Sequence, residues 1–302
     1  MANPWSAELE LKGAGGEAVD LWRTLTSHGV AALPPQLLDE EGRTLESTLS
    51  LPHGHGRART IRIRAGRPGH ALVEAEGRVS AADGAALAET VAHMLRLDAD
   101  LSGFYKVAAD DPDLAWATAG AGRMLRSPTV FEDVVKTICT TNCTWSATVR
   151  MVSALVSELG VEAPDGLRAF PTPAAMAAAK EAFYRDVART GYRGAYLRTL
   201  AQDAASGALD LEALTDPGLT DDGVAATLLA LPGCGPYAAA HMMMLLGRYS
   251  HLILDSWTRP TYARLNGRKA SDKTIERRFR RYQEYAGLAF WLYLTRDWVA
   301  EG

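Results

Sequence analysis

The chain has 302 residues, with 47% hydrophobic and 23% charged, the proportions of an ordinary globular protein long enough to bury a sizeable core. A formal net charge of −4 excludes a protein that coats nucleic acid through bulk charge, because phosphate binding is driven by clustered Lys and Arg; a local basic face stays open. The three cysteines, Cys139, Cys143 and Cys234, are too few for a disulfide framework, and no signal peptide or apolar run of bilayer length occurs, so the expectation is a cytoplasmic protein that spans no membrane.

From Trp5 to Gly77 the pattern is short strands broken by turns. Glu8–Leu11, Leu49–Leu51, Thr60–Arg64 and Ala71–Glu74 carry the strand signal, with a short helix over Leu21–Leu25 between them. The pair His53 and His55 invites a metal hypothesis, but no partner ligand is evident and a solvent loop is the simpler reading. Leu87, Val91, Met94 and Leu95 predict a helix over Ala85–Leu97, and a second follows over Asp98–Lys106. Beyond this point the chain reads as nearly all helix. The fold class is therefore α+β, mostly α: an N-terminal antiparallel β/α domain over 1–97 and a helical region over 98–302.

Pro128–Cys139 opens with a proline and acidic turns and buries Val130, Val134, Val135 and Ile138. A polar break, Thr140–Trp145, separates it from a helix over Ser146–Leu159. Cys139 and Cys143 stand one helical turn apart and could share a metal with His241, yet buried apolar thiols are the commoner outcome. Phe170-Pro-Thr-Pro caps a further helix, and Gly191-Tyr-Arg-Gly-Ala-Tyr196 starts another, with Tyr192 and Tyr196 expected in the core.

The most informative stretch spans 222–258. A helix closes at Leu231, where Thr227, Leu228 and Leu231 share a face and Pro232 ends the ladder. Gly233 and Gly235 permit a sharp turn and close approach of an outside group, and Pro236 suits the first turn of a second helix. Amides exposed at such a helix start form a ready phosphate site. The apolar His251–Leu254 then leads to Asp255, whose ordinary use is an N-cap. A basic tract from Arg259 to Arg281 marks a phosphate-facing side, and a helix over Tyr282–Trp298 closes the core.

Together the hairpin (222–247) and the loop carrying Asp255 (248–258) resemble the helix-hairpin-helix, Gly/Pro-rich-loop and Asp superfamily of DNA glycosylases, which includes 3-methyladenine and 8-oxoguanine glycosylases. The resemblance runs from about Pro128 to about Arg264. It implies a hairpin that grips a DNA phosphate through Gly233, Cys234 and Gly235, with Na+ or K+ held by the hairpin carbonyls, and Asp255 as the catalytic carboxylate. It further implies a wedge at Asn142 and Thr141, and it goes with Arg259 as a phosphate contact. Bifunctional members carry a lysine where this chain has Tyr237, and no lysine lies between Lys180 and Lys269. Schiff-base lyase chemistry at the hairpin is therefore not expected, nor is an iron–sulfur cluster, since no cysteine follows Cys234.

Breaking an N-glycosidic bond develops oxocarbenium character in the sugar, which a carboxylate beneath it stabilises. The base must first leave the stack, at a cost of a few kcal/mol. Tyr237 and His241, one turn apart, with Trp145 and Trp257, are the candidate pocket walls. The expected function is a monofunctional glycosylase acting as a monomer on duplex DNA that contains a damaged, most simply alkylated, purine. The alternatives are an 8-oxoguanine-type glycosylase and a non-catalytic helix-hairpin-helix DNA-binding protein.

Overall fold

The protein is described by a computed structural model covering residues 5–51 and 56–299; His53 and His55 lie outside the described residues. Strands β1 (Trp5–Glu10), β2 (Gln36–Asp39), β3 (Thr44–Ser50), β4 (Ala58–Ala65) and β5 (His70–Ala75) form one antiparallel sheet in the order β1-β5-β4-β3-β2. Helix α1 (Leu21–Leu25) lies between β1 and β2 in the chain. The period-2 alternation works as it should: Ile61 pairs with Ala75 and Ile63 with Val73, and all four are buried on one face. Helix α2 (Ala81–Met94) covers that face with Leu87, Val91 and Met94. It starts earlier than the apolar spacing suggests, because Ser80 accepts a hydrogen bond from the Asp83 amide and caps it there. The edge strand β2 escaped the sequence reading, since Leu37 faces solvent and leaves no clean alternation.

The helical part comprises α3 (Ser102–Ala108), α4 (Val130–Thr140), α5 (Trp145–Leu159), α6 (Pro173–Ala178), α7 (Arg193–Ser206), α8 (Asp221–Ala230), α9 (Pro236–Leu245), α10 (Thr258–Asn266), α11 (Asp272–Phe279) and α12 (Ala286–Thr295). Side-chain caps fix several starts: Thr129 for α4, Thr144 for α5, Thr172 for α6 and Thr220 for α8. Two expectations need correction. The buried face of α8 is Val224 and Leu228, continued by Leu231, while Thr227 is exposed. The C-terminal segment is two pieces, because Gln283 takes a positive φ of 50° within the tight turn Arg280–Tyr285 and α12 starts only at Ala286.

The two regions share their cores. Leu125, from the helical region, packs in the sheet cluster, while Val30 and Leu33 pack among the helices. Fully buried Arg123 pairs with Glu17 at 2.5 Å and donates to the Arg96 and Ala99 carbonyls. Buried Lys136 bridges Glu132, at 2.7 Å, to the Leu33 carbonyl and the Gln36 side chain. Trp291 on α12 donates its indole N–H to the Ser27 carbonyl at 2.8 Å. The Arg123 and Lys136 charges buried at this seam are each paired with a carboxylate, as a low-dielectric interior favours.

Candidate active site

The hairpin between α8 and α9 is built around two glycines with different reasons to be glycine. Gly233 has a φ of +82°, and a Cβ there would lie 2.8 Å from Tyr196 Cδ2 and 3.3 Å from Ile138 Cγ2. Its conformation and its packing both exclude a side chain. Gly235 has an ordinary φ of −81°, and a Cβ would meet nothing within 4 Å. The space in front of it is open, at the head of a helix that no side chain caps and whose N1 is Pro236. Cys234 is buried and burial pushes its thiol up to about 11, so it offers only backbone to a ligand. Its amide donates to the Leu231 carbonyl at 3.1 Å, and the Gly233 and Cys234 carbonyls accept no backbone hydrogen bond among the described residues. These two carbonyl oxygens are the ones that a monovalent cation at this turn would take.

Asp255 stands just before α10. Its Oδ1 accepts the Trp257 amide at 2.8 Å and the Thr258 amide at 2.6 Å, while its own amide donates to Thr258 Oγ1 at 2.8 Å. This is a reciprocal cap. All of the carboxylate's hydrogen bonds fall on Oδ1, leaving Oδ2 uncommitted among the described residues. The loop is pinned from behind by α12, where the Gly287 amide donates to the Tyr249 carbonyl at 2.6 Å. A Cβ on Gly287 would lie 2.1 Å from the His251 carbonyl oxygen, so the close approach requires that glycine.

Tyr237, in the first turn of α9, lies within electrostatic reach of Asp255. Burial raises its hydroxyl pKa, the Thr140 hydrogen bond draws it back, and the negative charge of Asp255 adds to the rise. Behind it His241 stacks at 6.2 Å between ring centroids, and His241 in turn meets His28 edge-on at 5.5 Å. Trp257 packs on Trp291 at 5.6 Å and on Trp298 at 5.5 Å. Trp145 is half exposed at the start of α5, and its Cη2 is 3.7 Å from a Cβ built on Gly29. The segment Ser27-His28-Gly29 thus joins the walls: Ser27 holds Trp291, Gly29 lies under Trp145 and His28 meets His241. Sequence reasoning missed this segment, because a short polar run after α1 carries no motif.

Neither a family model nor a curated protein matches the chain by sequence. Solved structures do match. The 3-methyladenine DNA glycosylase from Archaeoglobus fulgidus aligns with a TM-score of 0.72 at 20% identity, over 98% of this chain and 100% of that one. The apo 8-oxoguanine glycosylase/lyase of Clostridium acetobutylicum gives 0.72 at 18% identity, over 97% of each chain. The same enzyme in complex with double-stranded DNA containing cytosine opposite 8-oxoG gives 0.70 at 19% identity, over 92% of each. This chain has their fold.

Within that glycosylase fold the remaining candidates sort themselves. Asn142 adopts a left-handed φ of 46° at the end of α4, and its amide donates to the Tyr192 hydroxyl at 3.4 Å. Thr141 is held by Arg193, which donates to its carbonyl and, at 3.3 Å, to its hydroxyl. Tyr192, expected in the core, is 54% exposed, and Tyr196 sits at the surface beside it, packed on Gly233. Arg193 turns inward to support the 140–142 turn, while Tyr192, one residue ahead of α7, and Tyr196 stay at the surface. A ridge of Asn142, Tyr192 and Tyr196 therefore adjoins the hairpin.

Arg259 is engaged in a two-pronged ion pair with Asp272, at 2.8 and 2.9 Å, so its charge is already matched. Arg278 and Arg281 likewise pair with Asp113 and Asp111. The basic tract is thereby thinned to Arg264, Arg268, Lys269, Lys273, Arg277 and Arg280, which form no ion pair among the described residues. A cavity of 520 Å³ beside α9 is lined by Pro236, Tyr237, Arg259 and Arg280 among others, but not by Asp255, His241 or Trp257. Cys139 is fully buried, with its thiol pushed up to about 12, and Cys143 donates to the Cys139 carbonyl at 3.1 Å. Both behave as packed thiols. Among the described residues no three His, Cys, Asp or Glu side chains converge as a metal site would.

Proposed function

We propose that the chain is a DNA glycosylase of base excision repair, hydrolysing the N-glycosidic bond of a damaged purine flipped out of duplex DNA. The observation that carries this reading is the juxtaposition of Asp255 with the hairpin. One carboxylate oxygen is locked by two amides and the other is free among the described residues, within electrostatic reach of Tyr237, which starts the helix after a glycine hairpin with open space before Gly235. The locked oxygen fixes the carboxylate's direction, and the free one stabilises positive charge developing on the sugar and orients a water. The uncapped amides of α9 anchor the phosphate nearby, and the Gly233 and Cys234 carbonyls would hold a monovalent cation whose charge would assist them. Asn142 fills the place of the lost base.

With Tyr237 where a Schiff-base lysine would stand, the reaction is hydrolysis without strand scission. The aromatic walls Tyr237, Trp145 and Trp257 suit a positively charged alkylated purine, through cation–π attraction of about 1 kcal/mol or more when desolvated. A second reading, a neutral oxidised purine, is favoured by the two uncharged imidazoles behind Tyr237.

The test is base release from methylated duplex DNA and from an 8-oxoguanine duplex, with strand nicking followed before and after hot alkali. Released base with nicking only after alkali supports the proposal. Asp255→Asn should lower release by about 100-fold or more while leaving duplex affinity within a few-fold, because it removes charge and little volume. Bound DNA with no base released from any damaged duplex would return the chain to a non-catalytic binding role.

A further inference from the structure

His28 and His241 carry an unused hydrogen-bonding capacity. Both rings are more than nine-tenths buried, at 5% and 6% exposure, and two of their nitrogens, His28 Nδ1 and His241 Nε2, have no hydrogen-bond partner among the described residues. A buried polar atom left without a partner is uncommon in a folded core, and two on adjacent rings call for a ligand or a water. The tautomer of His28 is set by chemistry. Its Nε2 lies 2.8 Å from the Leu125 carbonyl, which only accepts, so Nε2 carries the proton. Nδ1 of the neutral ring is then a lone pair. His241 Nε2 is a donor in one neutral tautomer and an acceptor in the other.

Their position is as telling as their chemistry. His241 stacks behind Tyr237, which feels the charge of Asp255, and His28 stands between the Trp291-bound Ser27 and the Gly29 that underlies Trp145. One histidine comes from the N-terminal region and the other from the hairpin helix, so the pair spans both regions beside the candidate base site. Aromatic walls select by shape and charge; only polar atoms can read an edge.

We propose that His28 and His241 together determine base specificity, and that the accepted base presents an N–H donor to His28 Nδ1 with a second polar atom for His241 Nε2. This rests on reading the site as a glycosylase base pocket. A pocket with buried polar groups of this kind rejects bases that cannot pair with them, because those groups are then left unsatisfied.

The test uses the full chain labelled with 15N-histidine and carrying Asp255→Asn, so that the base stays attached. It is titrated with duplexes containing 8-oxoguanine, hypoxanthine or a methylated purine, and with a duplex holding a tetrahydrofuran abasic analogue. The His28 Nδ1 resonance should shift with at least one base-bearing lesion and stay put with the abasic analogue. In the Asp255 background of the native chain, His241→Phe, which breaks no hydrogen bond of the structure, and His28→Phe should each slow single-turnover base release by about 10- to 100-fold, with affinity for the abasic duplex within about twofold. Equal imidazole shifts with lesion and abasic duplexes, or parallel loss of release and abasic binding, would overturn the proposal in favour of a water-filled structural pair. Failure of the native chain to release any base sinks the glycosylase reading instead, and the imidazole shifts still decide this one.

Discussion

At the scale of single residues the site depends on groups held in unusual states. His28 and His241 are kept neutral by burial, pushed down to about 4 and about 3, with the Leu125 carbonyl partly opposing the fall at His28. In the unfolded chain both titrate near the ordinary imidazole value, so between that value and the folded one the unfolded state binds more protons. Stability must therefore rise with pH across this window and be lost as pH falls from about 6.5 toward 4, by up to about 1.4 kcal/mol per pH unit for each ring. Chemical denaturation at a series of pH values checks this: His241→Phe should flatten the slope, and an unchanged slope would mean that His241 is protonated in the fold. The cap at Asp255 was legible, because a carboxylate after an apolar run commonly starts a helix; its candidacy for chemistry came from the resemblance of the hairpin and loop. That only one of its oxygens is committed to the cap was not legible, since this depends on where the amides of Trp257 and Thr258 point.

At the scale of elements, the hairpin separates folding from recognition. Gly233→Ala forces a side chain into the left-handed region and against Tyr196 and Ile138, and should destabilise the protein by about 1–3 kcal/mol. Gly235→Ala has room and an ordinary φ, so it should leave the melting temperature nearly unchanged, while its methyl blocks the approach of a phosphate to the α9 amides and weakens duplex binding about tenfold or more. Thermal melts and DNA titrations of the two variants separate these effects, and a Gly235→Ala protein that binds duplex normally would remove the hairpin from the interface. The glycine spacing alone marks both positions equally. Only the neighbours of each, Tyr196 beside one and open space beside the other, tell them apart.

At the scale of the whole molecule, the division at residue 97 that composition suggests cuts through a shared interior. Removing residues 5–97 would strip Glu17 from Arg123, Gln36 and the Leu33 carbonyl from Lys136, and the Ser27 carbonyl from Trp291. Breaking the buried Arg123–Glu17 pair alone costs about 3–5 kcal/mol, a large share of the stability of a typical domain, and Lys136 loses two further acceptors. A 98–302 fragment should therefore lack a cooperative melt by circular dichroism; a sharp transition in that fragment would show that the helical region is independent. The same seam brings His28 against His241, so a truncated chain would also lose that ring contact.

Periodicity, caps and turn residues by themselves determined the class of fold, the strands of the inner sheet, the helices that flank the hairpin and the cap at Asp255, because each is written in residues close together in the chain. What only the tertiary structure decided was which side chains meet across long separations. Arg193 turns inward to hold Thr141 while Tyr192 beside it is exposed, Arg259 is neutralised by Asp272, and His28 reaches His241 from more than two hundred positions away. Such meetings are set by how helices and sheet pack around a common core, and no local pattern records them.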